Sequence, residues 1–339
     1  MREWSHAIDP VKDVAGAAQS RVWQGFHVKV WQHVPGADDT SIVGPSVVTV
    51  GVFDGVHRGH QALIAKVSAE AKARDAKAVV VTFDPHPMAV LVPEHAPLML
   101  TDIEHRVELL HQAGADEVRV LNFSFEMAAW SPQEFVAKVI SEQCGAAHVS
   151  VGENFRFGAK AAGTIETLRE IGADSGFSVE AFALNGDTSP FSSSRIRAAL
   201  ACGDVSIAND LLGRAHEVFG NVIKGEQRGR DLGFPTANVA VPPGIAVPDD
   251  GVYATTFTVG ENVYWGATSV GTNPTFAGER HRTIETFVLD QPDLDIYDRH
   301  VGVAFQAHIR AMEKFDNVAD LIAQMNRDVA DVRKVLVGI

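Results

Sequence analysis

The chain has 339 residues, which is long enough for two domains. With 46% hydrophobic and 21% charged residues, its composition is typical of globular proteins. Its 29 Lys and Arg are outnumbered by 43 Asp and Glu, giving a net charge of −14, and no Lys/Arg run interrupts this balance. Such an acidic chain is poorly suited to neutralise a nucleic-acid backbone, so we expect no nucleic-acid partner. Anionic substrates would have to be attracted locally, by loops and helix ends.

The cysteines and the N-terminus indicate a cytoplasmic protein. Cys144 and Cys202 are far apart and belong to no CxxC motif, so neither a disulfide framework nor a cysteine metal site is expected. The first residues, MREWSHAIDPVKDVAG, lack the apolar region of a signal peptide. No segment approaches the roughly 20 apolar residues of a membrane span. The sequence therefore predicts a soluble protein without a membrane partner.

The first two thirds of the chain predict an α/β domain. Residues 1–45 show no regular hydrophobic pattern, and we expect an irregular N-terminal extension. The predicted strands that follow are Val47–Phe53, Ala78–Phe83, Glu117–Phe123, Ala147–Val151 and Ser178–Leu184. The predicted helices are Leu63–Ala71, Glu104–Ala113, Pro132–Cys144, Ile165–Ala173 and one that opens near Ser193. This alternation predicts a doubly wound parallel sheet, Rossmann-like, with ligands at the carboxyl ends of its strands.

The pattern changes near Leu212–Arg214. Short segments rich in β-branched and aromatic residues follow, separated by Gly, Pro and Asn: Val218–Lys224, Gly251–Val259, Val263–Val270, Thr283–Asp290 and Val301–Ile309. They predict a small antiparallel β-barrel or sandwich, closed by an amphipathic helix at Asn317–Leu336. The fold class is thus α/β followed by β, with domains at 46–205 and 206–339.

The segment GVFDGVHRGH links the first strand to the first helix and carries two histidines. His57 and His60 are three residues apart, so both imidazoles lie on one face of the first helical turn. A helix N-terminus binds anions, and Gly55 and Gly59 allow close backbone approach there. We interpret the segment as a phosphate-binding site that stabilises charge during attack on a phosphorus atom. The alternatives are a capping histidine and half of a zinc site, although no third ligand is evident.

Two later segments are predicted to reach the same sheet edge. VGENFRFG, with Asn154, follows the fourth strand, and SSSRIR, with Ser193 and Arg197, opens the last helix of the domain. Its hydroxyls and N–H groups can face a phosphate, and Arg197 can clamp the leaving diphosphate. The alternatives are a plain aromatic loop for the first segment and a structural cap for the second.

The β domain contains a glycine-rich loop, GEQRGRDLGFPTAN, whose backbone can wrap phosphates at Gly225, Gly229 and Gly233. It lacks the Walker A pattern. Thr236 and Asn238 alternate, so on an extended strand they share one face and can hold Mg²⁺. A long polar hairpin loop is the alternative.

One carboxylate further along suits phosphoryl transfer. Glu285 sits within the apolar segment TIETFVLD. It is either the polar face of an edge strand or, beside a bound substrate hydroxyl in a barrel mouth, a general base. Phosphoryl transfer otherwise needs mainly alignment and charge neutralisation.

In this order and spacing, GVFDGVHRGHQ, TFDPHP, VGENFRFG and SSSRIRAAL resemble the nucleotidyltransferase module of bacterial bifunctional riboflavin kinase/FMN adenylyltransferase, also called FAD synthetase. Matched to that family's motifs, the nucleotide-binding positions are His57, His60, Asn154, Ser193 and Arg197. Ser194 stands where the family usually has Thr and keeps the hydroxyl. His86, in DPHP, is either a rigid lip against the flavin or part of a turn.

The segments GEQRGRDLGFPTAN, DGVYAT, SVGTNPTF, IETFVLD and HIRAMEKF resemble the riboflavin kinase module of the same family. The resemblance implies Thr236 and Asn238 as Mg²⁺/ATP residues, Glu285 as the catalytic base and Arg310 as a flavin-side residue. Gly225, Gly229 and Gly233 fall in its nucleotide loop.

Together the two resemblances cover about residues 45–335. They imply ATP as co-substrate, Mg²⁺ as cofactor, and riboflavin, FMN and FAD as substrates and products; whether the chain forms a homo-oligomer is left open. Two alternatives remain: another HxGH-type nucleotidyltransferase fused to an unrelated β module, and a non-enzymatic flavin-binding or storage protein.

Overall fold

The computed structural model describes residues 30–31, 44–183, 191–225, 229, 232–272, 282–291 and 294–338. The chain forms two compact units. One holds the described residues up to Arg195 together with Leu211–Gly213, and the other holds Ile196–Asp210 and the described residues from Arg214 onward. Among the residues that the structure describes, no helix is long and apolar enough to cross a membrane.

The first unit is built on a six-stranded parallel sheet with strand order β1-β4-β3-β2-β5-β6. The strands are β1 Val30–Trp31, β2 Ser46–Val50, β3 Lys77–Phe83, β4 Glu117–Leu121, β5 Ala146–Gly152 and β6 Ser178–Phe182. Its helices are α1 Arg58–Ala73, α2 Pro87–Leu91, α3 Ile103–Gln112, α4 Phe125–Ala128, α5 Pro132–Phe135 and α6 Ile165–Ser175. Two further helices, α7 Ser193–Ala201 and α8 Val205–Leu212, each have residues in both units. A π-helical turn, Val136–Gln143, continues α5, and short 3₁₀ turns lie at Pro93–His95 and Ala159–Ala161.

The sheet is buried on both faces, which confirms the predicted doubly wound architecture. Every residue of β2 is buried, and its side chains alternate between two apolar clusters. Val48 and Val50 pack into the cluster that includes Ile140 and Leu168, whereas Val47 packs into the cluster that includes Leu63. Burial on both faces explains the uninterrupted apolar run in the sequence.

Several element bounds differ from expectation. β2 ends at Val50, three residues before the predicted Phe53, because Phe53 has a left-handed backbone with φ of 52° and turns the chain. The helix at Val205–Leu212 was not predicted. Residues 1–45 were expected to be irregular, but Val30–Trp31 forms a strand paired with β4, so this expectation is wrong for those two residues. Leu184, the predicted end of the fifth strand, is outside the described residues.

The second unit contains a closed six-stranded antiparallel barrel, which confirms the predicted β-barrel. Its strands are β7 His216–Ile223, β8 Thr236–Ala240, β9 Gly251–Val259, β10 Asn262–Thr272, β11 Arg282–Val288 and β12 His300–Arg310, in the order β10-β11-β8-β7-β12-β9. The last helix, α9 Val318–Val337, is capped by the Asn317 side chain, which accepts a hydrogen bond from the Asp320 N–H. Apolar residues of α9, including Val332 and Leu336, pack with Ala254 and Leu289.

A buried histidine makes the barrel unit sensitive to acid. His216 is 2% exposed, and its Nε2–H donates to the Ala246 carbonyl oxygen at 2.8 Å. Burial lowers the pKa of His216 from 6.5 to about 4. Between these values the unfolded chain binds a proton that the folded chain does not, so stability is lost as the pH falls.

We therefore expect the barrel to lose about 2 kcal/mol of unfolding free energy between pH 7 and pH 5 through His216. His216→Gln, which keeps a hydrogen-bond donor, should remove that share of the pH dependence. Urea denaturation at both pH values, with hydrogen exchange of β7 as the local readout, compares the two proteins. Equal pH dependence in wild type and variant would contradict the assignment.

Candidate active sites

The first candidate site lies where β2 passes into α1. His57 is the N-cap of α1, and its Nδ1 accepts a hydrogen bond from the His60 backbone N–H at 3.3 Å. A neutral imidazole that accepts at Nδ1 carries its proton at Nε2. The His57 and His60 rings are stacked, with centroids 3.6 Å apart and planes 17° from parallel. Both predicted histidines thus stand together at a helix N-terminus, a position that favours anions.

The environment keeps His60 uncharged. The pKa of His60 is well below its ordinary 6.5, mainly because the ring is desolvated by burial, with smaller contributions from His57 and Arg106. Its Nδ1 is buried and has no hydrogen-bond partner among the described residues. A buried polar atom without a partner is rare in folded proteins. Its presence here is explained if a bound ligand supplies the missing partner.

The turn before the histidines is held by residues that the sequence reasoning partly missed. Asp54 is buried, and its Oδ1 accepts hydrogen bonds from the Leu100 N–H at 2.8 Å and the Thr101 N–H at 3.4 Å. The Ser193 hydroxyl donates to the Asp54 carbonyl oxygen at 2.9 Å. Ser193, a predicted site residue, therefore contacts the histidine-bearing turn directly. The available signal for Asp54 was a carboxylate directly after an apolar strand and before Gly55, within the histidine-bearing motif.

Arg106 is a second residue that no sequence pattern indicated. Its side chain is 1% exposed, and its Nη1 donates to the carbonyl oxygens of Phe83 at 3.0 Å and Val52 at 3.4 Å. It thereby joins the carboxyl ends of β2 and β3. Burial lowers the pKa of Arg106, opposed by the carboxylates of Asp54, Asp84 and Asp102. A charged residue on an amphipathic helix normally faces solvent, so the sequence alone favoured exposure.

The remaining residues predicted for this site differ in burial and in their contacts. Asn154 follows β5, next to β2 in the sheet, and is exposed. Gly59 is buried; a Cβ there would lie 3.1 Å from the Phe191 Cβ and 3.3 Å from the His57 Cε1. Arg197 is half buried, one helical turn after Ser193. His86 caps α2, its Nδ1 accepting from the Met88 N–H at 3.0 Å, and a contact of this residue with the flavin stays a prediction.

The second candidate site lies on paired strands of the barrel. In the antiparallel register of β11 and β8, Glu285 is directly opposite Asn238. Opposed residues point to the same face, with Cβ atoms about 4.5–5.5 Å apart. Thr236, two residues before Asn238, shares that face. The half-buried Glu285 alternates with buried Ile284 and Thr286, so it faces out of the barrel core rather than into the interior.

The glycine-rich loop approaches this face closely at two of its three glycines. A Cβ on Gly225 would lie 2.4 Å from the Asn238 Nδ2, and one on Gly229 would lie 2.3 Å from the Phe234 carbonyl oxygen. The contact at Gly229 is with backbone and excludes a side chain, and a Cβ there would also lie 3.7 Å from the Thr236 Oγ1, so the loop lies close to the predicted ligand strand at both glycines. Gly233 has φ of 83°, a conformation that also favours glycine.

Arg310, the residue predicted on the flavin side, forms an ion pair with Asp328. Its Nε and Nη2 donate to the two carboxylate oxygens of Asp328 at 2.8 and 2.7 Å, a bidentate pair joining β12 to α9. Asp328 is 5% exposed. The hydrogen bonds to Asp328 raise the pKa of Arg310. The ion pair fixes the guanidinium between β12 and α9, and its flavin contact stays a prediction.

A zinc site at His57 and His60 would need at least one further protein ligand. In the described ranges, no three His, Cys, Asp or Glu side chains are arranged to hold a metal ion. Thr236 and Asn238 present a hydroxyl and an amide oxygen, which are hard ligands that fit Mg²⁺ in the company of phosphate oxygens.

The histidine pair at the edge of a parallel sheet and the glycine-loop barrel together define a two-domain transferase. The family model described as FAD synthetase matches residues 39–195, and the one described as riboflavin kinase matches residues 212–336. The chain belongs to the bifunctional riboflavin kinase/FMN adenylyltransferase family.

Similar proteins cover nearly the whole chain. The protein named bifunctional riboflavin kinase/FMN adenylyltransferase in Escherichia coli K12 is 35% identical over 85% of this chain and 92% of that protein. The protein of the same name in Listeria monocytogenes is 34% identical over 90% of this chain and 96% of that protein. A crystal structure described as a macrolide-efflux protein from Streptococcus pneumoniae is 33% identical, with a TM-score of 0.80, over 86% of this chain and 95% of that one.

Proposed function

We propose that the chain makes FAD from riboflavin in two ATP-dependent reactions, each at its own site. The enzyme phosphorylates riboflavin to FMN, releasing ADP, and then transfers the adenylyl group of a second ATP to FMN, releasing diphosphate. We assign the second reaction to the His57/His60 site and the first to the Glu285/Asn238 site. The observation that supports this division most directly is that each unit has its own phosphate-binding arrangement: stacked histidines at a helix N-terminus and glycines against a polar strand.

In adenylyl transfer, an FMN phosphate oxygen attacks the α-phosphorus of ATP, and diphosphate leaves. Negative charge develops on the oxygens around the α-phosphorus, where imidazole N–H groups and the N-terminus of α1 can stabilise it. The lowered pKa of His60 leaves its ring neutral at pH 7. A neutral His60 ring can donate a hydrogen bond without charge repulsion of the stacked His57 ring. Asn154, Ser193 and Arg197 are assigned to the same nucleotide.

In the kinase reaction, the riboflavin 5′-hydroxyl attacks the γ-phosphorus of ATP, and Glu285 accepts the hydroxyl proton. Thr236 and Asn238 would hold Mg²⁺, which neutralises phosphate charge when bound. The backbone at Gly225 and Gly229 lies against this strand and is assigned to the phosphates. The register that sets Glu285 opposite Asn238 supports a base and a metal ligand acting on one substrate.

Incubating the protein with ATP, Mg²⁺ and riboflavin, and separating the flavins chromatographically, tests both reactions. FMN followed by FAD is the expected outcome. FAD from supplied FMN without any phosphorylation of riboflavin would favour an HxGH nucleotidyltransferase with an unrelated β module. Bound flavin without turnover would favour a storage protein. The macrolide-efflux description of the similar crystal structure corresponds to neither matched family model.

Both reactions should stop when divalent metal is chelated with EDTA and resume when Mg²⁺ is added in excess. The reason is that the assigned ligands are oxygen atoms of protein and phosphate, which prefer hard cations. Initial rates of FMN and FAD formation, measured separately, provide the readout. Either activity persisting after exhaustive chelation would count against its metal assignment.

We also assign the enzyme to the cytoplasm. Cys144 and Cys202 are both free thiols, and burial raises the pKa of Cys144 to about 12. Unpaired cysteines are the usual state in a reducing compartment.

A further inference from the structure

The turn Phe53–Val56, which delivers the chain to His57, has an unusual backbone. Phe53, Gly55 and Val56 have φ angles of 52°, 77° and 40°. Positive φ is natural for glycine but strained for a β-branched residue such as Val56, and it persists only where the surroundings hold it. Neighbouring groups must therefore hold the Val56 peptide in this conformation.

Gln61 makes such a contact. Its Nε2 donates one hydrogen bond to the Val56 carbonyl oxygen and another to the Leu212 carbonyl oxygen, both at 2.8 Å. Carbonyl oxygens only accept, so the two partners fix the orientation of the amide group and use both of its hydrogens. The Gln61 backbone N–H also bonds the His57 carbonyl oxygen at 2.9 Å, the first hydrogen bond of α1. Gln61 thus hydrogen-bonds the carbonyl groups of both Val56 and His57.

The second partner comes from a distant part of the chain. Leu212 is the last residue of α8, where carbonyl oxygens lack intrahelical partners. A Cβ on Gly55 would lie 3.3 Å from the Leu212 Cδ2, so the leucine packs against the turn itself. A Cβ on Gly213 would likewise lie 3.1 Å from the Arg58 Cγ. Leu212 and Gly213 therefore pack against the turn and the start of α1, and the Gln61 side chain hydrogen-bonds the Leu212 carbonyl to the turn.

We propose that Gln61 is a positioning residue for adenylyl transfer, which rests on the function assigned above to the histidine pair. It holds the strained Val56 peptide between α1 and the end of α8, and so sets where His57 begins the helix. The His57 Nδ1 bond and the 3.6 Å ring stack both depend on that placement. A displacement of about 1 Å in a catalytic group can lower a rate by about 100-fold.

Gln61→Met keeps the length of the side chain but removes its donors. We expect kcat for FAD formation from FMN to fall about 10- to 100-fold, with KM for ATP within about threefold, because the histidines remain but are misplaced. Gln61→Lys restores N–H donors on a similar stem and should recover at least part of the lost kcat. Gln112→Met is the matched control, since the exposed Gln112 donates to Glu108 on its own helix. Riboflavin phosphorylation by the same variants reports on the integrity of the other unit.

The outcomes separate this inference from the proposed function. Low kcat in Gln61→Met, partial recovery in Gln61→Lys and wild-type rates in Gln112→Met would support the positioning role. Equal rates in wild type and Gln61→Met would overturn it, as would equal losses in the Met and Lys variants or a collapse of ATP affinity. A wild-type protein that makes no FAD from FMN would instead overturn the proposed function.

Discussion

Replacing Glu285 by Gln should lower the rate of riboflavin phosphorylation by about 10²–10⁴-fold, the usual effect of removing a positioned general base. Gln keeps the size and hydrogen-bonding capacity of the side chain but cannot accept the hydroxyl proton. KM for ATP should change little, because the phosphates are assigned to the loop that includes Gly225 and Gly229. FMN formation from riboflavin at saturating ATP and Mg²⁺ measures the effect.

Two controls make the Glu285 experiment specific. Supplied FMN should still be converted to FAD at a near-normal rate, because that reaction is assigned to the other unit. Glu261→Gln removes an exposed carboxylate from the turn between β9 and β10 and should leave both activities unchanged. If Glu285→Gln phosphorylates riboflavin normally, Glu285 is only a residue of the barrel face and the base lies elsewhere.

Replacing His57 by Ala should abolish FAD formation while FMN formation stays close to wild type. Loss of one preorganised donor to a developing oxyanion typically lowers kcat by about 10²–10³-fold. His57 also caps α1, and loss of a cap alone destabilises a helix by about 1 kcal/mol. The two effects are separable, because Asn is a good N-cap without an imidazole.

We therefore expect His57→Asn to retain the thermal stability of the wild type and to be as inactive in FAD formation as His57→Ala. His95→Ala, at a side chain that is 73% exposed, is the control within the same unit. FAD formation from supplied FMN and FMN formation from riboflavin are measured separately. Equal loss of both activities in a folded variant would contradict the independence of the two sites, and an active His57→Asn would reduce His57 to a cap.

Much of the fold was predictable because its elements have local signatures. The buried strands of the sheet are continuous apolar runs, and the amphipathic helix at the C-terminus begins within a residue of its predicted start, with Asn317 as its cap. Strand ends were less predictable. Phe53 belongs to the apolar run of β2, yet its backbone turns out of the strand, and composition carries no information on that conformation.

Some site residues were likewise predictable from local sequence, and others were not. His57 and His60 were predicted to share one helical turn, and their rings are stacked there. Glu285 was expected at a barrel mouth as a base or on a polar strand face; the strand alternation sets it on the outer face, opposite Asn238. Arg106 was not anticipated, since its buried position depends on carbonyl groups at the ends of two separate strands.

The sequence by itself determined the two-domain α/β and β organisation, the histidine pair at a helix start, and the family. These follow from hydrophobic period and from motifs whose residues are close along the chain. Only the tertiary structure decided that Glu285 faces Asn238, that Arg310 is paired with Asp328, and that Gln61 bonds a carbonyl 151 residues away. Such contacts depend on how strands pair and helices pack in the whole fold, for which single segments carry no signal.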